Sequence, residues 1–133
     1  MANNVRFTIP ARREFVGLVR LAIGGLALAM PFDAETIEDI KLVMSEICTN
    51  IVLAADGPAP SSNLSFTVML DPSEVVIDID SGAAVEEVMS AASAAWERPK
   101  QSGYGLSIIT ALMDKVELVP ASGHSILRLR KFT

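Results

Sequence analysis

The chain opens on Val5-Arg6-Phe7-Thr8-Ile9, apolar and polar positions in alternation, and Pro10 closes the run. A period of two puts successive side chains on opposite faces, so a half-buried strand is predicted there. From Ala11 to about Met30 the period changes: Phe15, Leu18, Val19, Ala22, Ile23 and Leu26 fall mostly three and four residues apart. That spacing predicts a helix, which Pro31 stops. Gly24-Gly25 either weakens the helix or lets another backbone approach it closely. A second helix is predicted from Asp33 or Thr36, either of which can cap it. Its apolar positions Ile37, Ile40, Met44, Ile47, Ile51 and Ala54 are spaced 3, 4, 3, 4, 3 and form one stripe, and it ends before Gly57-Pro58.

Strand periodicity then returns. Leu64, Phe66, Val68 and Leu70 alternate, Asp71-Pro72-Ser73 turns the chain, and Val75, Ile77 and Ile79 alternate with Val76, Asp78 and Asp80, which predicts a hairpin. Val85–Trp96 is Ala-rich and predicts a short, loosely held helix, followed by a polar loop over Glu97–Gly103. Gly105–Asp114 is helical, with Leu106, Ile109 and Leu112-Met113 inward. Val116–Val119, a turn over Pro120–Gly123, and Ser125–Lys131 predict a second hairpin. Hairpins make antiparallel neighbours, and amphipathic helices have to cover one sheet face. The expected fold is therefore an α+β two-layer sandwich: a mostly antiparallel, mixed sheet with helices on one face, in a single domain over 1–133.

Composition supports a packed globule, since 50% of the 133 residues are hydrophobic and 20% are charged. The net charge is −5 with the basic residues scattered, which argues against direct nucleic-acid binding, a task that needs clustered Lys and Arg. The single Cys48 and single His124 make no disulfide and no metal cluster. The apolar run Leu21–Phe32 follows four arginines, and Ala27-Leu28-Ala29 mimics a leader-cleavage site. It is too short to span a bilayer and is interrupted upstream by Arg20, so a buried first helix and a cytosolic, membrane-free protein are expected.

Three short patterns carry candidate chemistry. Glu46 and Asn50 stand at i and i+4, stacked beside the apolar stripe of the second helix. A carboxylate there can take a proton from an attacking hydroxyl, and an Asn oxygen can help hold Mg²⁺. Taken alone, the pair reads first as a solvated helix edge. Asp78-Ile79-Asp80-Ser81-Gly82 leaves a strand on an acidic, glycine-terminated turn, where a fixed carboxylate can accept from an exocyclic amine; an exposed strand end fits as well. Gly103-Tyr104-Gly105-Leu106 opens a helix whose first N–H groups are donors suited to phosphate. No P-loop spacing is present.

Taken in order, Glu-x-x-x-Asn on a helix, Asp-x-Gly after a strand and Gly-x-Gly-Leu opening a helix resemble the nucleotide site of the gyrase, heat-shock-protein, histidine-kinase and mismatch-repair ATPase superfamily. Within it, Val43–Asn50, the Ile9–Glu14 stretch with Arg20, Gly103–Val116 and Gly123-His124-Ser125 resemble the small anti-sigma serine kinases of bacterial partner switching. The resemblance implies ATP and Mg²⁺ as ligands, with Glu46 as general base, Asn50 as Mg²⁺ ligand and Asp80 as adenine reader. It implies Gly82 under the base, Gly103, Gly105 and Leu106 at the phosphate-facing lid, and Ser125 as a hydroxyl near adenine. Arg20 stands where family members contact a protein partner. The implied partners are an anti-anti-sigma antagonist and a sigma factor, with a homodimer as the usual assembly. Two positions depart from the family pattern: Ala84 replaces a second glycine, and Ala54 stands where a His is common. They leave a rival reading, a non-catalytic regulator of the same fold with a degenerate nucleotide site.

Overall fold

The computed structural model describes residues 3–55, 63–81, 105–121 and 123–133. Along the chain these form β1 (Asn3–Pro10), a 3-10 turn (Arg13–Phe15), α1 (Val16–Ala27), α2 (Ala34–Ala55), β2 (Asn63–Asp71), β3 (Glu74–Asp80), α3 (Gly105–Leu112), β4 (Lys115–Ala121) and β5 (His124–Phe132). The strands make one sheet in the order β1-β2-β3-β5-β4. Every pairing between described strands is antiparallel.

Register and alternation together sort the side chains. Phe7 lies opposite Phe66, Phe66 opposite Ile79, Ile79 opposite Leu127 and Leu127 opposite Leu118. This row and its neighbours two residues away form the covered face, where Leu64, Phe66, Val68, Ile77, Ile79, Leu127 and Leu129 are buried. The Phe7 and Phe66 rings stack with centroids 4.8 Å apart, a contact that adds to the apolar area both bury. Above them lie Val19, Ile23 and Ala27 of α1, Ile40, Val43, Met44, Ile47, Cys48 and Ile51 of α2, and Ile109 of α3, all in one cluster. The α+β two-layer architecture is thus the expected one. The other face carries Arg6, Thr8, Thr67, Asp78, Asp80, Arg128 and Arg130, the complementary set of the same alternation.

Three boundaries differ from the sequence pattern. Helix α1 begins at Val16 rather than Ala11, because the chain first makes tight backbone bonds from Arg12 N–H to Pro10 C=O (2.8 Å) and from Phe15 N–H to Arg12 C=O (3.0 Å). It ends at Ala27, where Ala29 and Met30 bond back three residues to Leu26 and Ala27 and tighten the final turn. The predicted Pro120–Gly123 turn starts later: β4 runs through Pro120, paired with Ser125, and Ala121 lies opposite His124. β4 is an edge strand, which tolerates a residue without an N–H, and Gly123 takes φ +77° in the turn, open to glycine at no steric cost. The helix predicted over Val85–Trp96 and the loop after it lie outside the described residues. No helix among the described residues is long and apolar enough to cross a membrane.

Candidate functional site

Helix α2 is set by its cap and its stripe. Thr36 N–H donates to Asp33 Oδ1 at 2.8 Å, satisfying one of the donors left over at a helix start. Hydrogen bonding from the Thr36 side chain first, and from this backbone N–H second, holds the Asp33 carboxyl below the usual carboxylate range. The stripe Ile40-Met44-Ile47-Ile51 faces the sheet and is buried, so the rotation of the helix about its axis is fixed. Glu46 and Asn50 consequently fall on its flank, both partly exposed. Asn50 Nδ2 donates to the Glu46 backbone carbonyl at 2.8 Å. Only the nitrogen end of the amide can donate, so Oδ1 is turned away from that carbonyl and presented as an acceptor.

Asp78 and Asp80 share the face opposite the described helices, and the structure treats them differently. Asp78 is gripped by Arg128 through Nε to Oδ1 at 2.8 Å and Nη2 to Oδ2 at 2.9 Å. Asp80, the last residue of β3, meets His124 Nε2 at 2.8 Å through Oδ1. Around them, a groove of about 520 Å³ is lined by Arg6, Thr8, Thr67, Asp78, Asp80 and Ile126 among others. Ser125 follows His124 on β5 and takes the opposite, covered side with Leu127. The fold therefore brings His124 to Asp80 and turns Ser125 away from it. Ser81, next after Asp80, has its Oγ buried without a hydrogen-bond partner.

Gly105 is the first residue of α3, with Leu106 after it, at the end of a helix where N–H groups have no partner within the helix itself. Gly82, Ala84 and Gly103 lie outside the described residues, and Ala54 sits in the last turn of α2. Among the described residues, no group of three or more His, Cys, Asp or Glu could hold a metal ion. A lone Asn oxygen beside a carboxylate is still a fit donor set for Mg²⁺ delivered on a nucleotide, because that ion keeps phosphate oxygens and waters for most of its shell.

A second surface lies between α1 and α2. Arg20 is about half-exposed and meets Glu38 at 3.9 Å. It lines a groove of about 390 Å³ with Leu21, Gly24, Leu28, Ile37 and Lys41. Leu21 and Leu28 are each 72% exposed, too open to contribute to the core. Gly24 is approached by a side chain rather than a backbone: a Cβ there would stand 3.0 Å from Lys41 Cδ.

Sequence patterning did not single out His124 or Arg128 as neighbours of the two aspartates. Each of β3 and β5 shows its own alternation, but the register that pairs them was needed to join the two faces.

These elements define an ATPase fold of the histidine-kinase kind, and residues 9–131 match the histidine kinase-like ATPase domain. The chain belongs to that family, and within it to the anti-sigma-type serine kinases. It is similar to the serine-protein kinase RsbW of Halalkalibacterium halodurans, 36% identical over 134 residues covering 96% of this chain and 82% of the relative. It is similar also to the serine-protein kinase RsbW of Bacillus subtilis (strain 168), 30% identical over 134 residues covering 94% and 83%.

Proposed function

We propose that this chain is an ATP-dependent protein serine kinase that phosphorylates an anti-anti-sigma antagonist and thereby governs capture of a sigma factor. The observation that carries the proposal is the flank of α2, where Asn50 is locked with Oδ1 outward one helical turn from Glu46. In this reading Glu46 accepts the proton of the antagonist's serine hydroxyl. The freed oxygen bonds to the γ-phosphorus as the bond to the bridging oxygen of ADP breaks. Phosphoryl transfer is mostly positioning and charge neutralisation, so few groups are needed. When bound, Mg²⁺ supplies neutralisation of the phosphate oxygens, with Asn50 its protein ligand. Gly105 and Leu106, with Gly82 and Gly103, serve the phosphates and the base, and Asp80 reads the adenine amine from the end of β3. The α1–α2 groove with Arg20 receives the protein partners. A homodimer working in the cytosol completes the proposal.

The second reading, a regulator that binds partners without transferring phosphate, is favoured by one observation. Ala54 and Ala84 stand where the resembled family commonly has a His and a second glycine. Calorimetric titration with ATP and ADP, with and without Mg²⁺, separates the two when paired with single-turnover transfer to the purified antagonist. The kinase reading expects Mg²⁺-dependent ATP binding and a phosphoserine product. Tight partner binding without transfer at any metal concentration leaves the second reading.

A further inference from the structure

We propose that His124 is a positioning residue for Asp80 and sets the purine preference of the site. The inference rests on Asp80 reading an exocyclic amine, as proposed above. His124 Nε2 stands 2.8 Å from Asp80 Oδ1, with side chains 25% and 44% exposed. A carboxylate only accepts, so Nε2 carries the proton in this contact. The imidazole is delivered there by structure at both ends. His124 opens β5 opposite Ala121, after the left-handed Gly123, and β5 pairs with β3 along the register that sets Leu127 against Ile79.

Asp80 ends its strand, and a strand-terminal carboxylate without a lateral hold samples several rotamers that face an amine differently. A donor at 2.8 Å on one oxygen narrows those rotamers. It does not saturate the group, since an ionised carboxylate offers roughly four acceptor sites. His124 thereby gives Asp80 one orientation as an amine acceptor. A six-amino purine donates to an acceptor so placed, whereas a six-keto purine presents an acceptor to it and is rejected. Asp78, two residues away on the same face, is held by Arg128 through both oxygens and is not the interchangeable choice.

The test is the ratio of GTP to ATP dissociation constants, measured by calorimetry with Mg²⁺ on the full chain for the parent, His124→Ala, His124→Gln, Asp80→Asn and the His124→Ala/Asp80→Asn double variant. The parent should favour ATP by tens of fold, the scale of one charge-assisted hydrogen bond against an unpaired acceptor. His124→Ala should lower the ratio by about three- to tenfold through ATP while GTP affinity barely moves. His124→Gln, which offers an amide N–H at a similar reach, should restore the ratio to within about twofold of the parent. On the Asp80→Asn background, His124→Ala should add nothing, because coupled residues are not additive. An unchanged ratio in His124→Ala, with both affinities shifted together or only the melting temperature lowered, makes His124 structural and overturns the inference. Failure of His124→Gln to restore the ratio does the same. Equal ATP and GTP affinity in the parent overturns the Asp80 reading beneath it, a result visible before any variant is compared.

Discussion

Arg128 reaches from β5 to Asp78 on β3 with two parallel hydrogen bonds, at 2.8 and 2.9 Å, in the middle of the sheet face that no helix among the described residues covers. The fork matches a planar guanidinium to a planar carboxylate, and this bonding holds the Arg128 pKa above its ordinary value. Both side chains are less than a third exposed, so the pair is screened less than a surface ion pair. Arg128→Ala leaves a half-buried carboxylate without its donors and should destabilise the domain by about 1–3 kcal/mol. Arg128→Lys keeps the charge and loses the fork, and should recover only part of that. Urea unfolding checks both, as a shift of midpoint with an unchanged slope.

Gly24 and Gly25 are adjacent in α1 and should respond differently to alanine. A Cβ at Gly25 meets nothing within 4 Å, while one at Gly24 meets Lys41 Cδ at 3.0 Å. Gly25→Ala should therefore stabilise the helix by about 0.5–1 kcal/mol, the usual difference between the two residues in a helix interior. Gly24→Ala gains the same helix term but has to displace the Lys41 stem, and its net effect should be close to zero. Thermal unfolding of the two variants distinguishes them.

Cys48 lies in α2 with no exposed surface, and burial pushes its thiol up to about 12. The thiolate is the reactive form, so at pH 8 the folded protein should be inert to alkylation except through opening. Modification should run at least about a thousandfold slower than in urea, following the small open population of a stable domain. Mass spectrometry of the alkylated protein across a urea series should superimpose on the unfolding curve.

Much of this architecture was legible in the chain. The six-position stripe of α2 has one solution as a helix packed on a sheet, and β2 and β3 alternate except at Met69 and Val76, which are apolar on the other face. Sheet order was not legible, because inserting β5 between β3 and β4 depends on which strands pair, a long-range choice that no local period encodes. The same limit hid the Asp80–His124 contact across 44 residues. The first helix was overextended because Phe15 continues the apolar spacing, while the bonds that make 13–15 a 3-10 turn are set by how the chain leaves Pro10. Pro120 looked like a turn and became a strand residue because its strand is an edge.

Arg20 tests the groove. Its contact with Glu38 is 3.9 Å long and exposed on both sides, worth little to folding. Arg20→Ala should change stability by no more than about 0.5 kcal/mol. If the groove with Leu21 and Leu28 receives the partners, the same change should weaken antagonist or sigma binding by about tenfold or more, since arginine is a favoured interface anchor. Surface-plasmon binding and a melting curve give the two numbers, and a lowered melting temperature with unchanged binding would assign Arg20 to the fold.

Glu46 and Asn50 separate chemistry from binding. In the proposed mechanism Glu46 acts on the proton of the attacking hydroxyl, an event confined to the transition state. Asn50 holds the ion that neutralises phosphate charge in ground and transition states alike. Removing general-base help typically costs about 10²–10⁴-fold in rate, so Glu46→Ala should slow single-turnover transfer by that order and leave ATP affinity near the parent value. Asn50→Ala should lower Mg²⁺-dependent nucleotide affinity and transfer together. It also removes the hydrogen bond to the Glu46 carbonyl, so its melting curve has to be measured beside it. Asn50→Asp is the sharper variant. It keeps an oxygen for the ion but cannot donate to that carbonyl, so it should retain more of the Mg²⁺ dependence than Asn50→Ala while losing the fixed orientation. Transfer by Glu46→Ala at the parent rate would remove Glu46 from the base role, and equal Mg²⁺ dependence in the parent and Asn50→Ala would remove Asn50 from the metal.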